Sequence, residues 1–289
     1  MTLTDTHCHL DLDKFDFDRA DVLDRACAAG LNRILLPALN LASSQRVITL
    51  ANSHPNLFCA IGTHPNDSLE WDENSIAHLR QLYRDDTDFH SSTAQQLAKP
   101  SKIRAIGEIG LDYYWNDAPH DHQRMTLVKQ LALASELKLP VILHMREKGD
   151  ALDGECARDL INILSDWVRE LRESNNSLAI SPGVLHSFSG NLFTANKVID
   201  LNFFIGITGP ITFKNADAKR EVVKSLPLER ILIETDAPFL APVPQRGRRN
   251  EPAFVRHIAD KIAEIHNIDP DEVAELTTKN SARLFSWGG

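Results

Sequence analysis

Eight short apolar runs rich in β-branched residues alternate along the chain with longer segments whose apolar positions recur at helical spacing. The runs begin near Leu3, Ile34, Phe58, Ile103, Val141, Val184, Phe203 and Ile231. The helical segments that follow them span residues 18–29, 43–53, 73–83, 121–137, 157–173, 193–200, 216–225 and 253–266. A strand followed by a helix eight times over predicts an α/β fold, the (β/α)8 TIM barrel.

The sequence predicts one extra C-terminal helix after the eighth repeat. Asp269 can cap this helix and Pro270 suits its first position. No composition shift or Pro/Gly/Ser linker divides the chain, so we interpret residues 1–289 as a single domain. Two stretches are longer than a minimal (β/α)8 barrel requires. Residues 85–100 are polar and patternless and predict a surface loop, and the insert within residues 149–181 lengthens the fifth helical excursion.

Composition and charge exclude several classes of protein. With 43% hydrophobic and 25% charged residues, the 289-residue chain is typical of a globular protein. The net charge of -9 argues against a broad basic surface for duplex nucleic acid, so a polyanion would have to be bound locally. Four dispersed cysteines without a C-x-x-C pair favour neither disulfides nor a zinc ribbon. Lacking an apolar leader or a membrane-spanning run, the sequence predicts a cytoplasmic protein with no membrane contact and no evident obligate protein partner.

The first apolar run ends in the motif D-T-H-C-H, which holds a pair of histidines. On a strand, His7 and His9 project to the same face because side chains alternate with period two. At the carboxyl end of a barrel strand such a pair can bind a divalent metal. The pair alone is weak evidence, because two hydrogen-bonded histidines at a polar strand end would give the same pattern.

Further candidate metal ligands follow later apolar runs at the same relative position. They are Glu108, His144, His186 and Asp236. Four imidazoles and two carboxylates exceed the needs of one tetrahedral ion, which predicts two divalent cations with Glu108 shared between them. These ligand types suit zinc, manganese or nickel, and the carboxylates also tolerate magnesium.

Other polar residues near the strand ends are candidates for catalysis or substrate binding. His64, after the third strand, is predicted to orient the substrate or donate to a developing anion, although it could also be a seventh ligand. Asp112 fits a supporting hydrogen bond as well as a catalytic role. Arg146 and Arg249 are predicted to bind substrate, and Arg249 belongs to an R-G-R-R-N run that could clamp a phosphate. A solvated loop is the simpler interpretation of an isolated charge run, but the preceding ETDAP motif favours a functional one here.

Motifs in order along the whole chain resemble those of the TatD family of metal-dependent hydrolases. They include DTHCHLD, GTHPND, AIGEIGLDYYW, PVILHMRE, HSFSG, GITGPITFKN, ETDAPFLAP and RGRRNEP. The resemblance implies a (β/α)8 barrel and hydrolysis of phosphodiester bonds in DNA. It also implies two metal sites, one with His7, His9, Glu108 and Asp236, and the other with Glu108, His144 and His186. Family members usually carry Tyr where Phe239 stands and often His where Gln245 stands, so contacts beyond the metals differ.

These observations leave three functions open. We favour a two-metal phosphodiesterase, a DNase that trims single-stranded 3′ ends with a metal-activated water whose proton Asp236 accepts. The alternative is a metal-dependent deacylase or amidohydrolase, for example on aminoacyl-tRNA, because similar barrels also act on carbonyl substrates. A barrel retained only for binding is the third, and the intact ligand set argues against it.

Overall fold

A sheet of eight parallel strands forms the centre of the computed structural model, which describes residues 2–91 and 101–287. Each strand pairs with the next in sequence, in the order β1 to β8. The strands are β1 (Leu3–Asp5), β2 (Leu31–Pro37), β3 (Leu57–Ile61), β4 (Ile103–Asp112), β5 (Val141–Arg146), β6 (Gly183–Leu185), β7 (Phe204–Ile207) and β8 (Ile231–Ile233).

The first and last strands meet through the segments that follow them. The Thr6 N–H donates to the Ile233 carbonyl at 3.2 Å, and the Asp236 N–H donates to the His7 carbonyl at 2.8 Å. Cys8 forms a parallel bridge with Ala237 in the same region. These contacts close the sheet, which confirms the predicted (β/α)8 barrel.

A helix follows every strand, and one more ends the described chain. These nine helices of the described residues are α1 (Arg19–Ala28), α2 (Leu41–Ser53), α3 (Ser75–Ser91), α4 (His120–Leu137), α5 (Glu155–Glu173), α6 (Leu192–Asp200), α7 (Asp217–Ser225), α8 (Val255–His266) and α9 (Pro270–Phe285). The extra helix α9 is confirmed, and its predicted cap forms because the Asp269 carboxylate accepts the Asp271 N–H at 2.7 Å.

The barrel interior is closed by the end of α9. Seven strands each contribute one buried side chain to an interior cluster, which also contains Leu284, Phe285 and Trp287. The rings of Phe285 and Trp287 pack together, with their centroids 4.8 Å apart. Trp287 also contacts the ring of Phe58 near the start of β3. The C-terminal helix therefore fills the amino-terminal end of the barrel, opposite the end where the candidate ligands lie.

The prediction that residues 85–100 form a surface loop is wrong for the first part of this stretch. Residues 85–91 continue α3, and the remainder lies outside the described residues. The helix persists because Asp86 is buried, with 4% of its surface exposed, and its Oδ2 accepts hydrogen bonds from the Ser101 hydroxyl at 2.5 Å and the Lys102 N–H at 2.8 Å. This acid joins α3 to the chain that enters β4, a contact that polar composition alone does not reveal.

The insert within residues 149–181 adds short turns to the fifth repeat. One turn of 3-10 helix precedes α5 at Lys148–Asp150 and another follows it at Ser177–Ile180. Among the described residues, none of the helices has both the length and the apolar content to span a bilayer. The cytoplasmic location stays a prediction.

Replacing Asp86 with alanine should destabilise the fold without touching the ligand face of the barrel. The change leaves buried donors without their acceptor, which costs about 2 kcal/mol of unfolding free energy. Urea denaturation measures this change, with the exposed Asp88→Ala on the same helix as the control. Equal stability of both variants would show that Asp86 does not tie α3 to β4.

Candidate metal centre

The six predicted metal ligands converge at the carboxyl-terminal end of the barrel. His7 and His9 follow β1, Glu108 and His144 lie within β4 and β5, and His186 and Asp236 follow β6 and β8. At most 18% of the surface of any of these side chains is exposed. The structure therefore brings together side chains that are up to 229 residues apart in sequence because parallel barrel strands all end at one face.

One group of ligand atoms surrounds the Nε2 atom of His7. This atom lies 3.2 Å from His9 Nε2 and 3.2 Å from Glu108 Oε2. Asp236 Oδ1 lies 3.6 Å from His9 Nε2 and 3.9 Å from His7 Nε2. Ligands held tetrahedrally at zinc bond lengths lie about 3.3 Å apart, so this spacing fits one small divalent cation.

A second group surrounds the other oxygen of Glu108. Glu108 Oε1 lies 2.9 Å from His144 Nδ1 and 3.9 Å from His186 Nε2. His64 Nε2 lies 3.7 Å from the same oxygen. The two oxygens of Glu108 thus face different sets of histidines, which is the arrangement that a bridging carboxylate requires.

The backbone around Glu108 explains how its side chain enters the barrel. The register between β4 and β5 shifts between Ile106 and Ile109, and such irregularities redirect side chains. Gly110, two residues after Glu108, has a φ of +145°, and a Cβ there would lie 2.0 Å from the His144 carbonyl oxygen. Only glycine allows β4 to pass His144 this closely.

Two further carboxylates lie next to the ring nitrogens of His144 and His186 that do not face Glu108. Asp112 Oδ2 lies 2.9 Å from His144 Nε2, and Glu234 Oε1 lies 2.9 Å from His186 Nδ1. The supporting role predicted for Asp112 is therefore favoured over a catalytic one. Sequence reasoning missed Glu234, although it stands two residues before Asp236 in the same motif.

The carboxylates at the centre stay ionised despite their burial. Burial alone would raise the pKa of Glu108, but the imidazoles of His7 and His186 outweigh it and hold this pKa well below its ordinary value. Burial also opposes ionisation of Asp236, yet contact with His9 and the charge of His186 lower its pKa. Both groups are thus able to act as anionic ligands near neutral pH.

The histidines of the second group have raised pKa values because they face these carboxylates. Burial would lower the pKa of His144, but Asp112 and Glu108 raise it to about 9. Burial likewise opposes protonation of His186, whose pKa Glu234 and Glu108 raise to about 10. The cluster therefore attracts positive charge at its centre, and a divalent cation would supply that charge. The donor types, spacing and charge all fit divalent metal binding.

His64 differs from His144 and His186 in its electrostatic surroundings. Burial and the neighbouring His144 lower its pKa to about 3, so its ring is neutral. Its Nδ1 accepts the Asn66 N–H at 3.2 Å, which places the ring proton on Nε2. That nitrogen faces Glu108 Oε1, so the structure brings His64 to the centre with a donor directed into it.

The first predicted substrate contact, Arg146, lies beside the centre. It is two residues beyond His144, and its guanidinium carbon lies 3.7 Å from the centroid of the Tyr114 ring. Its Nε donates to Asp150 at 2.8 Å. The structure leaves Arg146 as a candidate substrate contact at the barrel mouth.

The second, Arg249, is engaged with the loop after β1, and its contact with a phosphate stays a prediction. Both of its terminal nitrogens donate to the Asp18 carboxylate, at 2.7 and 2.6 Å, and one also donates to the Lys14 carbonyl at 2.6 Å. The guanidinium also lies over the Phe15 ring, 4.5 Å from its centroid. Arg249 thus anchors the loop after β1, and this role could not be predicted from the sequence because its partner stands 231 residues away.

Comparison with known proteins agrees with this geometry. The profile of the family described as TatD related DNase matches residues 4–286. The chain belongs to the TatD family. A relative from Bacillus subtilis, named uncharacterized metal-dependent hydrolase YabD, is 36% identical and is matched over 98% of each chain. The membership identifies the protein as a metal-dependent hydrolase.

Other comparisons extend the likeness to a solved structure and to a relative named as a nuclease. The crystal structure of YjjV, a TatD homolog from Escherichia coli, superimposes with a TM-score of 0.82 at 31% identity, covering 98% of each chain. A protein of Erwinia tasmaniensis named 3′-5′ ssDNA/RNA exonuclease TatD is 35% identical over 94% of this chain and 95% of its own.

Replacing Glu234 with glutamine should weaken metal binding while the barrel stays folded. The amide keeps the shape but removes the charge that faces His186, and such supporting groups typically contribute about 10- to 100-fold in metal affinity. Calorimetric metal titration measures this change, with the exposed Glu221→Gln as the control. Unchanged affinity in Glu234→Gln would mean that Glu234 does not support the site.

Proposed function

We propose that this TatD-family protein hydrolyses phosphodiester bonds at the 3′ ends of single-stranded DNA, with two divalent cations. The cations would be held by His7, His9, Glu108 and Asp236 on one side, and by Glu108, His144 and His186 on the other. The observation that carries the proposal is the division of the two Glu108 oxygens between two sets of histidines, at 3.2 Å and 2.9 Å. The relatives named as single-strand exonucleases support this choice of substrate.

Paired divalent cations lower the pKa of water and act as Lewis acids toward phosphate oxygens. The chain itself must then supply a proton acceptor and donors that orient the substrate. Asp236 fits the acceptor because it is ionised and because 15% of its side chain is exposed at the mouth of the barrel. The other members of the first ligand group are more buried, since 0%, 5% and 4% of the side chains of His7, His9 and Glu108 are exposed.

His64, after β3, and Arg146, at the end of β5, would bind the phosphate on the side of the centre away from Asp236. The neutral His64 ring carries its proton on Nε2, directed toward the centre, and can donate it in a hydrogen bond to a phosphate oxygen. Arg146 adds a positive charge next to the end of β5. Together they provide local binding of a polyanion on a chain whose net charge is -9.

Hydrolysis tests with wild type and Asp236→Asn separate this proposal from its alternative. We expect wild-type protein to cleave single-stranded DNA in the presence of divalent metal, and Asp236→Asn to lose activity by about three orders of magnitude because the proton acceptor and ligand charge are removed. The exposed Asp200→Asn is the matched control. Faster hydrolysis of an aminoacyl-tRNA or a lactone than of DNA would instead support the deacylase.

A further inference from the structure

Two aromatic groups, each with a cation against its rings, flank the candidate metal centre. The first group, which we call the β4 platform, consists of Tyr114, Trp115 and Arg146. The second, the β8 platform, consists of Phe239 and Lys14. Because β4 and β8 are four strands apart in an eight-stranded barrel, the platforms lie on opposite sides of the mouth.

The β4 platform is tied directly to a supporting carboxylate of the metal centre. Asp112 Oδ1 accepts the N–H groups of Tyr114 and Trp115 at 2.9 and 3.1 Å, while its Oδ2 contacts His144. Trp115 is 48% exposed, and the Arg146 guanidinium carbon lies 5.7 Å from the centroid of its ring. One carboxylate therefore fixes the position of an exposed indole relative to a metal ligand.

The β8 platform borders the other ligand group. The Phe239 ring is 44% exposed, and its centroid lies 6.3 Å from that of His9. Lys14 Nζ lies 4.8 Å from the Phe239 centroid. The Lys14 backbone is held by Arg249, through the hydrogen bond to its carbonyl. Arg249, which the sequence predicts to bind a phosphate, thus positions the loop that carries Lys14.

A ring and a cation at each platform match the two parts of a nucleotide. Aromatic rings stack on bases of any sequence, and Lys and Arg attract the phosphate backbone. The chain as a whole has a net charge of -9, which disfavours binding of a polyanion, so cations at the mouth would select where a strand binds. Bases paired within a duplex are not available to splay onto two separate rings.

We propose that the β4 and β8 platforms each stack one of the two bases that flank the scissile phosphate of a single strand. The proposal rests on the phosphodiesterase function proposed above and adds to it the basis for selecting unpaired ends. A phosphate at the metal centre has one nucleoside on each side, and the structure has one exposed aromatic group on each side of that centre. In a 3′-end exonuclease these are the terminal and penultimate nucleosides.

Oligonucleotides that lack one base test the proposal by a double-mutant cycle. Wild-type protein should lose about tenfold in kcat/KM when either the terminal or the penultimate base is removed. Trp115→Ala should lose its sensitivity to one of these positions, and Phe239→Ala should lose its sensitivity to the other. Trp115→Phe should restore the sensitivity of its position, because a phenyl ring also stacks.

The exposed Phe89→Ala, on α3 outside the mouth, is the control and should keep both sensitivities. DNA cleavage by wild type with no coupling between either aromatic residue and either base would overturn the proposal. Binding of the same oligonucleotides to Asp236→Asn, followed by fluorescence anisotropy, separates it from the proposed function. Base-dependent binding that Trp115→Ala and Phe239→Ala each weaken in this background, with no DNA cleavage by wild type, would refute the phosphodiesterase and keep the base contacts.

Discussion

The carboxylate of Glu108 is the group on which the rest of the centre depends. It is 97% buried yet ionised, and an uncompensated charge in that position would be costly. Its two oxygens face two different sets of imidazoles, and His144 and His186 of the second set in turn contact Asp112 and Glu234. The close passage of β4 at Gly110 and the register shift of β4 are the backbone conditions for this arrangement.

The barrel makes such a dense cluster of polar groups compatible with stability by separating it from the apolar interior. Phe285 and Trp287 fill the amino-terminal end, and the ligands occupy only the carboxyl-terminal end. At the carboxyl-terminal end, Asp5 of the first strand joins the chain that follows the last strand. Its carboxylate accepts hydrogen bonds from the N–H and the hydroxyl of Thr235 at 2.9 and 2.5 Å. Closure of the barrel thus brings His7 and Asp236 to the same point.

The sequence predicted what depends on strand periodicity and missed what depends on distant partners. The barrel and the six converging residues follow from polar side chains at the ends of apolar runs, such as His144 and His186. The pairing of Arg249 with Asp18 did not follow, because a guanidinium in a loop fits a phosphate as well as a carboxylate. The end of α3 was missed for a similar reason, since the buried contacts of Asp86 form with residues after the loop.

The stoichiometry of bound metal tests the shared carboxylate most directly. Protein reconstituted with zinc or manganese and freed of excess ion would be analysed by plasma mass spectrometry, beside Glu221→Gln and a variant with alanine at His144 and His186. We expect two ions per chain in the wild type and Glu221→Gln, and one in the double variant. No more than one ion in fully reconstituted wild type, with the same content in the double variant, would contradict a bridging Glu108.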